Sequence, residues 1–73
     1  MTFNINTEFG TILRKLREGR NLNQEEFAEL CGISRAYYGR IERGEHSLTV
    51  EKCYMIASAL NIRLADLFDD MPE

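Results

Sequence analysis

Residues 23–44, NQEEFAELCGISRAYYGRIERG, constrain this chain more than any other stretch. Two short segments with apolar residues at helical spacing flank a tight break at Gly32. Asn23 with Glu26 three residues later reads as an N-cap and capping box. Phe27, Leu30 and Cys31 are expected to point inward from the helix that follows, with Ala28 small enough for a close helix crossing. Glycine at 32 allows the positive φ that a sharp turn needs. Ile33 then packs back into the core, and Ser34 caps the second segment. Two helices joined by so short a turn have the geometry of a helix-turn-helix, whose second helix can enter the DNA major groove.

At about 100° per residue, Tyr38 and Ile41 share one side of that second helix with Ser34 between them. Arg35, Ala36, Gly39, Arg40 and Arg43 occupy the opposite arc. Its outward face is therefore basic and has small residues near its middle. Gly39 inside a helix costs up to ~1 kcal/mol relative to alanine. Either the site tolerates this loss, or a side chain there would hold the helix off its partner. Gly44 closes the helix.

The net charge of −3 argues at first against a nucleic-acid partner, but its distribution argues for one. Seven of the nine Lys and Arg residues lie between Arg14 and Arg43, whereas residues 46–73 hold only Lys52 and Arg63 against five acids. A local basic face matters more to phosphate contact than the total does.

The flanks read as a helical platform. Thr7 is expected to cap a first helix with Phe9, Ile12, Leu13 and Leu16 as its buried stripe. Thr49 is expected to cap a fourth, with Val50, Cys53, Tyr54, Ala57 and Leu60 on its apolar side and Ile56 flanking. Asn61 ends it, and a short fifth helix follows with Leu67 and Phe68 inward. The expectation is an all-α, five-helix domain over residues 7–68, preceded by an arm (1–6) and followed by an acidic tail (69–73). Seventy-three residues bury only about 60% of the surface exposed when unfolded, so dimerisation is the expected support. Ile62, Leu64, Leu67 and Met55 are the candidate dimer surface, the alternative being that they simply finish the small core.

Cys31 and Cys53 sit at apolar helical positions and read as small hydrophobes in a reducing cytoplasm rather than as a disulfide or metal pair. No apolar run approaches the roughly 18 residues needed to span a membrane, and no secretory leader is expected. His46 is the one histidine, placed in a loop without a nucleophile or carboxylate pair at motif spacing, so an enzyme is not expected. No phosphate loop, metal cluster, cofactor or small-molecule ligand is implied.

The contact roles follow from geometry. Arg35, in the first turn of the second helix, suits a bidentate contact to guanine, and Ala36 can meet a thymine methyl. Arg40, one turn on, reaches a second base or a phosphate. Asn23, Gln24, Ser34 and Arg43 complete a phosphate clamp, with His46 as a weaker candidate. The Tyr37 hydroxyl suits a phosphate, although a core or rim aromatic is an equal reading.

The elements LNQEEFA, CGIS, IERGE and IASALNIRLADLF together resemble the lambda-repressor/Cro-like (XRE) helix-turn-helix family over residues 9–68. The resemblance implies a five-helix domain binding double-stranded operator DNA as a two-fold homodimer, with Gln24 on phosphate and Arg35, Ala36 and Arg40 facing the groove. It also implies a structural ion pair between Arg17 and Glu42. The segment SRAYYGRIERGEHSLTV is similar to restriction–modification controller proteins, small dimers that regulate their own operon. It departs from them at the glycine and second tyrosine of YYGR and at His46-Ser47. A phage or plasmid repressor and an antitoxin-like interaction module are the alternatives.

Overall fold

Asn4, rather than Thr7, starts the first helix. Its backbone is extended and its Oδ1 accepts from the Thr7 amide at 3.1 Å, so the stronger capping residue prevails over the threonine three positions later. In the computed structural model, which describes residues 4–69 and 71, four α-helices follow one another. They are α1 (Ile5–Gly19), α2 (Gln24–Cys31), α3 (Arg35–Glu42) and α4 (Val50–Leu60). The expected fifth helix is a single 3-10 segment, Leu64–Phe68, so the all-α class holds with four α-helices instead of five. A segment of only five residues after an extended Arg63 suits the tighter i→i+3 pattern used in short pieces. Residues 5 and 6 of the expected arm are helical, while residues 1–3 and most of the expected acidic tail lie outside the described residues.

The helices pack by their small and apolar positions. α3 lies against both α1 and α2, and α4 contacts α2 and the 3-10 segment. Leu13, Phe27, Tyr38, Ile41, Ile56, Leu60 and Leu67 are fully buried, and the Phe27 and Tyr38 rings meet in a tilted pair at 5.1 Å. The buried arc of α4 is Cys53, Ile56, Ala57 and Leu60. Val50 and Tyr54, expected inward, are rotated off this arc and exposed. Leu30 is likewise exposed, because Phe27, Ala28 and Cys31 already fill the narrow inner side of an eight-residue helix. The single 3-10 turn has one inner position, which Leu67 takes. Phe68 remains partly exposed, stacked on Phe9 at 5.5 Å.

At Gly10 the end of α3 approaches α1 backbone to backbone. A methyl group there would overlap the Glu42 carbonyl oxygen and stand 2.7 Å from that of Ile41. Nothing in the sequence pattern marks this position, since Gly10 looks like an ordinary helix-interior glycine. Glycine at Gly10 serves the approach of two backbones, whereas at Gly32 it serves a left-handed turn with φ 75°.

One polar cluster ties α1, α2 and α3 together. Arg17 donates from Nε and Nη2 to the two carboxylate oxygens of Glu42, both at 2.9 Å. Its Nη1 donates to the Leu22 carbonyl at 2.9 Å, anchoring the α1–α2 turn. Gln24 Nε2 adds a further hydrogen bond to Glu42 Oε1 at 3.1 Å. The pair is well shielded, with 13% of the Arg17 side chain and 6% of the Glu42 side chain exposed. Burial disfavours the charged form of Glu42, but the hydrogen bonds from Arg17 and Gln24 outweigh it and hold the carboxyl below its usual range. The Tyr38 hydroxyl is buried beside this pair without a hydrogen bond of acceptable geometry. Its own ionisation is pushed strongly upward, first by burial.

Gly10→Ala should destabilise the fold by about 1–3 kcal/mol in urea denaturation through overpacking. The opposite sign, the gain of up to ~1 kcal/mol that alanine brings to an open helix site, would show that α1 and α3 can part. Arg17→Ala leaves a shielded carboxylate without its partner and should cost about 3 kcal/mol in the same measurement. A cost within the ~0–1 kcal/mol of an exposed pair would show that water replaces the guanidinium freely.

Candidate nucleic-acid interface

Local capping builds the α2–turn–α3 unit. Asn23 Oδ1 accepts from the Glu26 amide at 2.8 Å, and Glu26 Oε1 accepts from the Asn23 amide at 2.9 Å, forming the expected capping box. α2 ends at Gly32, and the Ile33 amide folds back to the Ala28 carbonyl at 3.0 Å. Ser34 is extended and its Oγ accepts from the Tyr37 amide at 3.1 Å. Both caps use acceptor capacity. The Asn23 side-chain NH2 and the Ser34 hydroxyl hydrogen therefore remain as donors, the only kind of group a phosphate oxygen can use.

On α3, Tyr38 and Ile41 are buried, while Arg35, Ala36 and Arg40 are exposed. Neither Arg35 nor Arg40 pairs with an acid among the described residues. Arg43 is also exposed but forms an ion pair with Glu45, Nε to Oε2 at 2.9 Å. This contact raises the already high pKa of Arg43 and keeps Glu45 below the usual carboxylate range, by hydrogen bonding in each case.

Gly39 departs from its expected open position on this face. It is buried, roofed by side chains: a Cβ there would lie 3.2 Å from Arg43 Nη1 and 3.6 Å from Gln24 Oε1. Gln24 thus bridges α2 and α3, with its nitrogen on Glu42 and its oxygen toward Gly39. Beside it, Arg17, Asn23, Gln24, Glu25 and Arg35 line an open, polar cleft of about 380 Å³.

The loop after α3 is held against its flank. The Tyr37 ring is half-buried and meets His46 edge-on at 5.3 Å. The Tyr37 hydroxyl makes a long contact of 3.5 Å to the Ser47 carbonyl, which also receives His46 Nδ1 at 3.0 Å. A carbonyl can only accept, so Nδ1 carries the hydrogen. Ser47 Oγ in turn donates to Asn6 Oδ1 at 3.1 Å, tying the loop to α1. Lys52, to which sequence reading gave no role, lines a shallow depression with Ser34 and Tyr37. Its only sequence signal is being one of two cations in the acidic half. Asn6 and Ser47 carried no signal, because their contact spans 41 positions.

Of the expected dimer surface, Leu67 alone is sealed in the core. Leu67 is fully buried, and Ile62 and Leu64 are partly buried against the core. Met55 is also partly buried, with its Cε 3.6 Å from where a Cβ on Gly32 would sit. Among the described residues, the exposed large apolar side chains are instead Ile5, Leu30, Val50, Tyr54 and Phe68. Ile5, Val50 and Phe68 join Phe9, Leu48 and Cys53 around an apolar groove of about 270 Å³. No helix among the described residues is long and apolar enough to cross a membrane.

With this geometry in view, the chain matches a helix-turn-helix family model over residues 13–67. It is 36% identical over 70 residues to the control protein C.BamHI of Bacillus amyloliquefaciens, a span covering 94% of this chain and 86% of that protein. The crystal structure of the restriction–modification controller C.AhdI from Aeromonas hydrophila superposes with a TM-score of 0.81 at 38% identity, over 86% of this chain and 91% of that one. A transcriptional regulator from Vibrio cholerae superposes with a TM-score of 0.84 at 35% identity; this chain spans only 38% of its length. These matches and the capped α2–turn–α3 unit lead to one assignment: the chain belongs to the helix-turn-helix family of DNA-binding transcriptional regulators.

Proposed function

We propose that this protein is a homodimeric regulator that recognises a pseudo-palindromic operator through α3, in the manner of a restriction–modification controller, in the cytoplasm. The carrying observation is the division of α3: Arg35, Ala36 and Arg40 are exposed on a helix whose other side, Tyr38 and Ile41, is sealed in the core. A helix so divided is held rigidly with one face free for the major groove. Arg35 reads a guanine, Ala36 contacts a thymine methyl, and Arg40 reaches a second base or a phosphate. Asn23, Gln24, Ser34, Tyr37, Arg43 and His46 supply phosphate donors around that face. Arg43 exchanges its Glu45 partner for a phosphate on binding. Lys52 adds a cation next to Ser34.

For the dimer, the exposed Ile5, Val50 and Phe68 around the apolar groove replace Leu67 and its neighbours as the surface covered by a second copy. A chain of this size gains stability by covering such side chains. Two recognition helices would then lie about 34–36 Å apart, one turn of DNA. Both cysteines are buried and unbonded, which suits a reducing compartment.

Titrating the protein against its own promoter region, with competitor DNA and at two salt concentrations, tests the proposal. Specific binding survives competition and weakens steeply with salt; binding indifferent to sequence overturns it. Arg35→Ala should reduce discrimination at one operator position by about 1–3 kcal/mol, whereas uniform weakening on all sequences would reassign Arg35 to a phosphate. Gly39→Ala meets only the flexible ends of Arg43 and Gln24. It should therefore raise stability by up to ~1 kcal/mol while lowering DNA affinity by displacing the Arg43 guanidinium, 3.2 Å from the added Cβ; unchanged affinity would remove Gly39 from the interface. Val50→Glu, at a position 76% exposed, should leave the helical circular dichroism intact and shift sedimentation from dimer to monomer. A variant that remains dimeric would place the interface elsewhere.

A further inference from the structure

We propose that Glu42 is the positioning residue that presents the Gln24 side-chain amide to a DNA phosphate. The inference rests on the DNA-binding reading and adds to it a division of labour within the Arg17–Glu42–Gln24 cluster.

A primary amide at the end of a flexible side chain has two faces, one that donates and one that accepts. A phosphate oxygen accepts only, so the donor face alone is useful. In this structure Glu42 settles which face points where. Its Oε1 receives both Arg17 Nη2 at 2.9 Å and Gln24 Nε2 at 3.1 Å, while its Oε2 receives Arg17 Nε at 2.9 Å. A carboxylate cannot donate, so the Gln24 nitrogen must face it and the amide oxygen must turn toward Gly39. The bidentate grip of Arg17 fixes the carboxylate, and the carboxylate fixes the amide.

Only one of the two Nε2 hydrogens is used in this contact. The second belongs to a side chain that also lines the open cleft with Arg17, Asn23 and Arg35. That cleft brings two guanidinium groups, two side-chain amides and one acid, Glu25, to one edge of the α2–α3 unit. Holding Gln24 in one orientation before DNA arrives removes part of the side-chain ordering cost that binding otherwise carries. The buried position of Glu42 permits this, because water does not compete for its oxygens as it would at the surface.

The alternative is that Glu42 only stabilises the fold through Arg17, with the Gln24 contact incidental. The two differ in how substitutions combine. Fluorescence anisotropy with a duplex from the protein's own promoter region would compare wild type, Gln24→Ala, Glu42→Gln and the double variant, each checked for helical content. A glutamine at 42 that turns its oxygen to Arg17 offers Gln24 an NH2 group, which reverses the Gln24 amide. Each single substitution should weaken binding about tenfold, the loss of one hydrogen bond to a charged group, and the double variant should be no weaker than Glu42→Gln alone. Costs that multiply toward about a hundredfold would overturn the proposal.

A second measurement needs no variant. Nitrogen-15 relaxation of the Gln24 side-chain amide in the DNA-free wild type should show an Nε2 as ordered as the helix backbone. Fast disorder there overturns the proposal even if Glu42→Gln fails to fold. Wild-type protein that does not distinguish its promoter from competitor overturns the regulator reading itself, an outcome separate from specific binding with multiplying costs.

Discussion

The arrangement of α1, α2 and α3 depends on one shielded ion pair. Arg17 and Glu42 stand 25 positions apart, on helices that meet at Gly10, and the guanidinium spends a third nitrogen on the Leu22 carbonyl of the α1–α2 turn. Two charges taken this far out of water gain from one another only when the geometry is good and the remaining polar sites are filled. Here the fork of arginine matches the carboxylate, and Gln24 fills a further site. The pair orients as much as it stabilises: it ties the end of α3 to the last turn of α1 and keeps the outer face of α3 turned to solvent.

The recognition unit rests on short-range capping. Asn23 with Glu26, Gly32, and Ser34 each satisfy or release backbone groups within a few residues. Because these caps use acceptors, the same side chains retain hydrogen-bond donors at the edge of α3. Structure and recognition therefore draw on different atoms of the same residues. The loop from Glu45 to Thr49 extends this edge, with Ser47 linking His46 and Tyr37 to Asn6 of α1.

Much of this was legible in the sequence because it is local. The starts of α2, α3 and α4, the left-handed residues Gly32, Gly44 and Asn61, and the buried stripe of α1 follow from residue type and helical period. The errors share a cause. Val50, Tyr54, Leu30 and Phe68 are apolar and at near-helical spacing, yet short helices bury only about a third of their circumference and periodicity does not say which apolar residues are surplus. Leu67 shows the converse, an apolar residue required by the core yet read both as inward and as part of a dimer surface. At the site, Arg35, Ala36 and Arg40 were readable from angle alone, whereas the roof over Gly39 was not, because it comes from α2 and from an arginine bent back along its own helix.

The sequence by itself determined the class of the molecule: an all-α chain with the caps of α2, α3 and α4, the glycine turn between α2 and α3, a basic recognition segment, and an acidic remainder. These follow from interactions within one or two turns of chain, where residue type sets the outcome. Only the tertiary structure decided which side chains are shared between helices. It placed the carbonyls of α3 against Gly10, added Gln24 of a third helix to the Arg17–Glu42 pair, and left Ile5, Val50 and Phe68 outside the core. Those outcomes depend on how closely packed backbones approach across long stretches of sequence, and no local pattern encodes that distance.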